Sequence, residues 1–234
     1  MEVLLFGATG MLGQGTLREC LLDPGVARVV TVGRRATGQQ HPKLREIVVP
    51  DVSDLSSVSA ELAGFDACFF SLGVSAAGMT EERYSALTYD LTLSVARTLL
   101  PLNPAMTFIY VSGMGTDSTG RGRVMWARVK GRTENALLAM GFRAAWMFRP
   151  GAVIPMHGIT SSTRWYRAVY AVTKPLFLLA KALFPRSVVT TEQFGRAMLA
   201  VARSGYPTPI LEARDIAAVA SGPGVASPTD STRH

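Results

Sequence analysis

Along the first 150 residues, short, almost uniformly apolar runs alternate with stretches in which apolar side chains recur at helical spacing. The runs at 3–6, 29–33, 46–49, 67–71, 107–112 and 144–148 predict strands buried on both faces. The stretches near 11–23, 55–63, 80–100 and 124–140 predict the helices between them. Alternating strands and helices of this kind predict a parallel sheet covered on both faces and wound by right-handed crossovers. Ligands of such sheets bind outside the carboxyl ends of the strands. There the chain places Gly7, Gly33, Asp51, Gly73 and Ser112.

After Pro150 the rhythm changes. Pro155, Gly158, Pro175, Pro185, Pro207 and Pro209 cut the chain into shorter pieces, with one clean helical pattern at 191–204. The expected class is α/β: a Rossmann-like doubly wound parallel sheet with a small C-terminal substrate-side lobe. Residues 1–220 then form a single domain, 151–220 being the lobe. Residues 221–234, rich in Ser, Gly, Pro, Thr and Asp, are expected to be a disordered tail.

Composition narrows the function classes. A hydrophobic fraction of 48% over 234 residues supports a large core. The net charge of +7 comes mostly from scattered arginines, without a like-charged block or an arginine–aromatic stripe, so no nucleic-acid partner is expected. Cys20 and Cys68 fall in a predicted helix and a buried strand and read as core residues of a reducing compartment. His41, His157 and His234 lack metal-ligand spacing, so no metal is expected. The chain enters a core strand at once, which predicts no signal peptide and a cytoplasmic protein. Residues 164–185 carry many aromatic and aliphatic side chains but are interrupted by Arg167, Lys174, Pro175 and Lys181. They read as helices covering a cleft or a homo-oligomer interface. Peripheral membrane contact is the alternative.

The chemistry begins with Gly7-Ala-Thr9-Gly10-Met11-Leu12-Gly13-Gln-Gly15, directly after the first strand and opening the first helix. In that context glycines let backbone N–H groups approach a pyrophosphate, whose charge then sits at a helix N-terminus. A glycine-rich turn without a ligand is the alternative. The second strand ends in Val32-Gly33-Arg34-Arg35, where a site for NAD would place an acid on the ribose 2′-hydroxyl. Arginine suits a 2′-phosphate, because its planar fork grips phosphate oxygens in two places. The expected cofactor is therefore NADP, with NADPH preferred over NADH. Asp51-Val52 after the third strand is placed to meet the adenine edge, or to cap the next helix. Ser71-Leu72-Gly73 would run beside the adenosine ribose and pyrophosphate.

With Val111-Ser112-Gly113, Val129-Lys130-Gly131 and Arg149-Pro150-Gly151 following in order, the chain resembles the short-chain dehydrogenase/reductase superfamily in its atypical, epimerase/dehydratase-like branch. The resemblance spans roughly residues 1–155. It implies a dinucleotide held by the glycine turn, Arg34, Arg35, Asp51, Val52, 71–73, Lys130, Pro150 and Gly151, with catalysis by Ser112, Lys130 and a tyrosine four residues before the lysine. Here that position is Trp126, and an indole N–H is no acid or base near neutral pH. Tyr84, Tyr89 or Tyr110, or a water on Ser112, would then supply the proton, or no turnover occurs. Thr116 and Asp117 read as loop residues. The function expected is an NADP(H)-dependent oxidoreductase or epimerase-like enzyme acting on an unknown small molecule. The alternatives are a non-catalytic redox sensor or scaffold, or a membrane-associated assembly factor.

Overall fold

The computed structural model of the chain describes residues 1–159 and 188–222. Its main sheet has seven strands, all parallel: β1 (Glu2–Phe6), β2 (Arg28–Gly33), β3 (Leu44–Val48), β4 (Ala67–Phe70), β5 (Thr107–Val111), β6 (Ala144–Arg149) and β9 (Ile210–Glu212), in the order β3-β2-β1-β4-β5-β6-β9. The expected doubly wound α/β class is thus the observed one. The chain turns back between β1 and β4, which places a crevice at the carboxyl ends of these two neighbours.

Alternation along each strand sorts the core into two layers. Val3 and Leu5 of β1 face a cluster with Val29, Phe69, Ile109 and Phe148, roofed by α1 (Met11–Leu22) and α5 (Thr191–Ser204). Leu4 and Phe6 face the opposite cluster, where Phe6 stacks on Phe70 at 5.5 Å and Phe70 on Phe108 at 5.9 Å. That second face is covered by α3 (Leu91–Leu102) and α4 (Met125–Leu138), with Leu99 and Leu137 in the layer.

The helical expectations hold with two changes. Residues Ser56–Leu62 form a 3-10 helix instead of an α-helix, in a segment where Ser56, Ser57 and Ser59 offer the backbone competing hydrogen bonds. The stretch near 80–100 is α2 (Glu81–Ser85), a π turn (Ala86–Asp90) and α3 in succession. Pro101 sits in the last turn of α3, and Asn103 caps the exit by accepting from Phe65 N at 2.8 Å and donating to Leu62 O at 2.7 Å.

Beyond Pro150, β7 (Ala152–Ile154) pairs in parallel with β8 (Val188–Thr190) as a separate two-stranded sheet. Helix α5 starts on a capping box between Thr190 and Gln193 and lies against α1. Strand β9 then joins β6, and α6 (Ala213–Ala220) follows. This seventh strand was not predicted, because three residues between prolines carry too little pattern. The helices expected at 164–185 and the tail from 223 lie outside the described residues. Among the described residues no helix is long and apolar enough to cross a membrane.

Candidate functional site

The glycine turn is built by close contacts that exclude side chains. Gly7 has φ +83°, and a Cβ there would lie 2.7 Å from the backbone of Ser71 and Leu72. A Cβ on Gly13 would lie 2.0 Å from Gly7 O. Gly10 N donates to Gly7 O at 2.9 Å and Gly10 is the N-cap of α1, so no side chain caps that helix and no acid lies in its first turn. The N–H groups of Met11 and Leu12 and the positive end of the helix dipole therefore face the crevice without a protein anion. Exposed Thr9 forms the rim of this turn, where its carbonyl accepts from Gln14 Nε2 at 3.0 Å.

Across the crevice, Ser71 N is held by Phe6 O at 3.0 Å, while Ser71 Oγ is buried without a hydrogen-bond partner among the described residues. A Cβ on Gly73 would meet nothing within 4 Å. An open helix N-terminus, an orphaned hydroxyl and open space beside Gly73 fit a pyrophosphate–ribose unit. Leu72 packs half-buried on the core beneath.

Arg34 and Arg35 leave β2 exposed and form no ion pair with the described residues. The loop that carries them is pinned by Glu46, whose carboxylate accepts from Thr37 N at 2.6 Å and Gly38 N at 3.2 Å. Arg34 lies near enough to Asp51 to help hold that carboxyl below its usual range, although hydrogen bonds from Ser53 do most of this. Asp51 Oδ1 is engaged by Ser53 N at 2.9 Å and Ser53 Oγ at 2.7 Å, a local turn that leaves the second oxygen outward. The Val52 side chain is in the core, so only its backbone can reach a ligand. Pro150 is buried and its carbonyl accepts from Met114 N at 2.9 Å, with half-buried Gly151 beside it.

At the end of β5 the structure brings Ser112 and Lys130 together: Lys130 Nζ donates to Ser112 O at 2.5 Å. The Ser112 hydroxyl points inward, donating to Glu134 Oε1 at 2.5 Å with Phe148 O at 3.2 Å. Glu134 is wholly buried and is gripped by Arg149, Nε to Oε1 at 3.0 Å and Nη2 to Oε2 at 2.5 Å. Arg149 also reaches Glu212 Oε1 at 3.1 Å and Ser118 Oγ at 2.5 Å, so α4, β6, β9 and the 113–123 loop share one guanidinium. These hydrogen bonds raise the Arg149 pKa further, and it stays charged. Sequence reasoning missed Glu134 and gave Arg149 no role. The signal available was a glutamate four residues after Lys130, on a helix whose other inward positions are small or apolar.

Trp126 stands one turn before Lys130, half-buried, its ring 3.6 Å from where a Cβ on Gly115 would lie. Two tyrosines considered as substitutes for it are buried. Tyr110 is 1% exposed with its hydroxyl toward Thr133, and burial drives its pKa well up. Tyr84 is 2% exposed and burial raises it too. Thr116 and Asp117 are loop residues, Asp117 accepting from Thr119 N, Thr119 Oγ1 and Gly122 N. Among the described residues there is no cluster of metal-ligating side chains.

The sheet order, the glycine turn and the strand-end loops make a Rossmann-like fold that solved structures of short-chain dehydrogenase and epimerase enzymes share. Solved structures with this fold include the UDP-N-acetylglucosamine 4-epimerase of Methanobrevibacter ruminantium, with a TM-score of 0.67 at 17% identity over 90% of this chain and 75% of that one. The Bordetella bronchiseptica enzyme WbmF, solved with NAD+, gives 0.65 at 17% identity over 93% and 76%. A short-chain dehydrogenase family protein of Francisella tularensis gives 0.62 at 15% identity over 90% and 95%.

In sequence the chain is similar to curated fungal proteins named "Protein fmp52, mitochondrial". The one from Emericella nidulans is 32% identical over 159 residues, 65% of this chain and 66% of the relative. The Aspergillus terreus protein fmp52-1 is 33% identical over 158 residues, again covering 65% and 66%. The chain thus spans 66% of the length of these relatives. No family model matches it. The expectation of a cytoplasmic protein is corrected by these relatives, whose names say mitochondrial. Buried reduced cysteines suit any reducing compartment and do not separate the two.

Proposed function

We propose that the chain is an NADP(H)-dependent oxidoreductase of the short-chain dehydrogenase type acting on a small molecule. The observation that carries this is the uncapped N-terminus of α1 at the β1–β4 crevice, with Arg34 and Arg35 unpaired at the end of the next strand. In this reading the first-turn N–H groups and Ser71 Oγ hold the pyrophosphate and ribose. Arg34 and Arg35 clasp the 2′-phosphate, and Lys130 binds the ribose next to the nicotinamide. When bound, the nicotinamide supplies a hydride acceptor or donor. The loops after β5 and β6, with Trp126, shape the space beside it.

Thermal denaturation with each nucleotide tests this. At about 100 times the Kd, a ligand adds roughly 2.7 kcal/mol of stability, a Tm rise of several degrees for a chain of this size. NADPH is expected to give that rise and NADH a much smaller one; an NADH preference would overturn the reading of Arg34 and Arg35. Trp126 favours a second reading, a dinucleotide-binding redox sensor or scaffold without turnover. Trp126→Tyr separates these from the first, since only a protein with a substrate pocket gains activity from the restored phenol.

A further inference from the structure

Lys130 is held at the end of β5 without an acidic partner. Its Nζ makes one hydrogen bond, to Ser112 O at 2.5 Å, and forms no salt bridge with the described residues. An ammonium has three hydrogens, so two remain for whatever enters the crevice. The nearest carboxylate on its own helix, Glu134, is taken up by Arg149 and the Ser112 hydroxyl. Lys130 is half-buried, and a lysine drawn partly out of water without a salt-bridge partner is a candidate for chemistry.

Other candidates for moving a proton are fewer than the sequence suggested. Trp126 has no titratable hydrogen near neutral pH. Tyr110 lies beneath Lys130, with its ring centroid 6.0 Å from Nζ, and turns its hydroxyl to Thr133. Tyr84 of α2 is buried beside it. The Ser112 hydroxyl is engaged inside the fold by Glu134 Oε1 and Phe148 O, turned from the crevice. Tyr89, partly buried on the π turn that packs on α4, is the remaining rival.

We propose that Lys130 is itself the proton-transfer group of this site, anchored by the Ser112 carbonyl and doing the work left undone at Trp126. The proposal rests on the oxidoreductase reading above. In reduction, a substrate carbonyl carbon takes a hydride from the reduced nicotinamide while its oxygen takes a proton from the Lys130 ammonium. The C=O π bond opens; an alcohol, the oxidised nicotinamide and a neutral amine result, and water reprotonates the amine. Oxidation of an alcohol runs the same steps in reverse. Burial brings the Lys130 pKa down to about 8, Glu134 offsetting part of that fall, so both protonation states are populated near neutral pH. The groups facing it are Tyr110 from β5, its ring centroid 6.0 Å from Nζ, and Glu134 from α4. Of these, Glu134 is the one whose charge acts on the amine.

The test has a binding arm and a catalytic arm, both on the full chain. Amine labelling with trace acetic anhydride across pH, read by mass spectrometry, should show Lys130 titrating near 8, with NADPH slowing its modification. Titration near the ordinary 10.5 would overturn the proposal. In the catalytic arm, NADPH oxidation is followed with para-nitrobenzaldehyde and a panel of aromatic and aliphatic carbonyls. The expected kcat falls above about pH 8, and Lys130→Ala lowers it about a hundredfold or more, with partial rescue by methylammonium. Lys130→Arg should lose the alkaline limb in whatever turnover remains, because a guanidinium stays charged across this range. An unchanged limb in Lys130→Arg, or its loss in Tyr89→Phe, would overturn the assignment to Lys130. A wild-type chain that binds NADPH and oxidises none across the panel would instead overturn the oxidoreductase reading itself.

Discussion

Gly13 shows how much one hydrogen atom can decide. An alanine methyl there would stand 2.0 Å from Gly7 O, far inside any tolerable contact, and the obstructing atom is backbone. Gly13→Ala is expected to destabilise by about 3 kcal/mol or more and to abolish the NADPH-induced Tm rise, read in one thermal-shift series. Glu134 fails differently. Removing it strands Arg149 and the Ser112 hydroxyl inside the protein, so Glu134→Ala should cost about 3–5 kcal/mol in urea denaturation, the range for a broken buried pair. Lys130 has the opposite sign, because its charge is a burden to folding. Below about pH 8 the amine is charged in folded and unfolded chain alike, and the burial penalty is present in full. Between about 8 and the ordinary 10.5 the unfolded chain binds the extra proton, so stability rises with pH across that window. Lys130→Met should raise the urea midpoint at pH 7 and flatten that rise.

At the scale of elements, close packing between helices decides what the C-terminal part does. A Cβ on Gly15 of α1 would lie 2.7 Å from Thr191, and one on Gly195 of α5 would lie 2.8 Å from Glu19 Cγ and 3.0 Å from Gly15 O. Glu19 is buried at this contact, with Arg196 Nε donating to it at 3.1 Å. Gly195→Val should therefore pry α5 from α1, lowering Tm by several degrees and raising protease sensitivity around 188–204. Most elements were legible in the sequence because uniform apolar runs and the strand–glycine–helix junction are local signals. β9 was not, being three residues stabilised by pairing with β6, a long-range property. The glycines and arginines proposed to hold the cofactor stand out in the sequence for the same reason as the strands, since they sit at strand ends. The Ser112–Glu134–Arg149 network was not, because it joins three elements and no spacing in the chain announces it.

For the molecule as a whole, the two charge signs are used in different places. Buried carboxylates such as Glu19 and Glu134 are matched by arginines inside the fold, whereas Arg34 and Arg35 are left unmatched at the surface. A phosphate clasp proposed at this exposed pair would be screened by salt, so the proposed NADPH preference over NADH should shrink as ionic strength rises from about 0.01 M to 1 M, where the Debye length falls from about 30 to 3 Å. Arg34→Ala with Arg35→Ala should bring the two Kd values together, measured by calorimetry, with NADH binding little changed. Trp126 carries one more consequence, an optical one. It stands a helical turn from Lys130, beside the space proposed for the nicotinamide, and reduced nicotinamide absorbs in the band where indole emits. The residue that removes the phenol thus installs a fluorophore, and docking of NADPH would be visible as quenching of this protein's own light, most of it lost in Trp126→Phe.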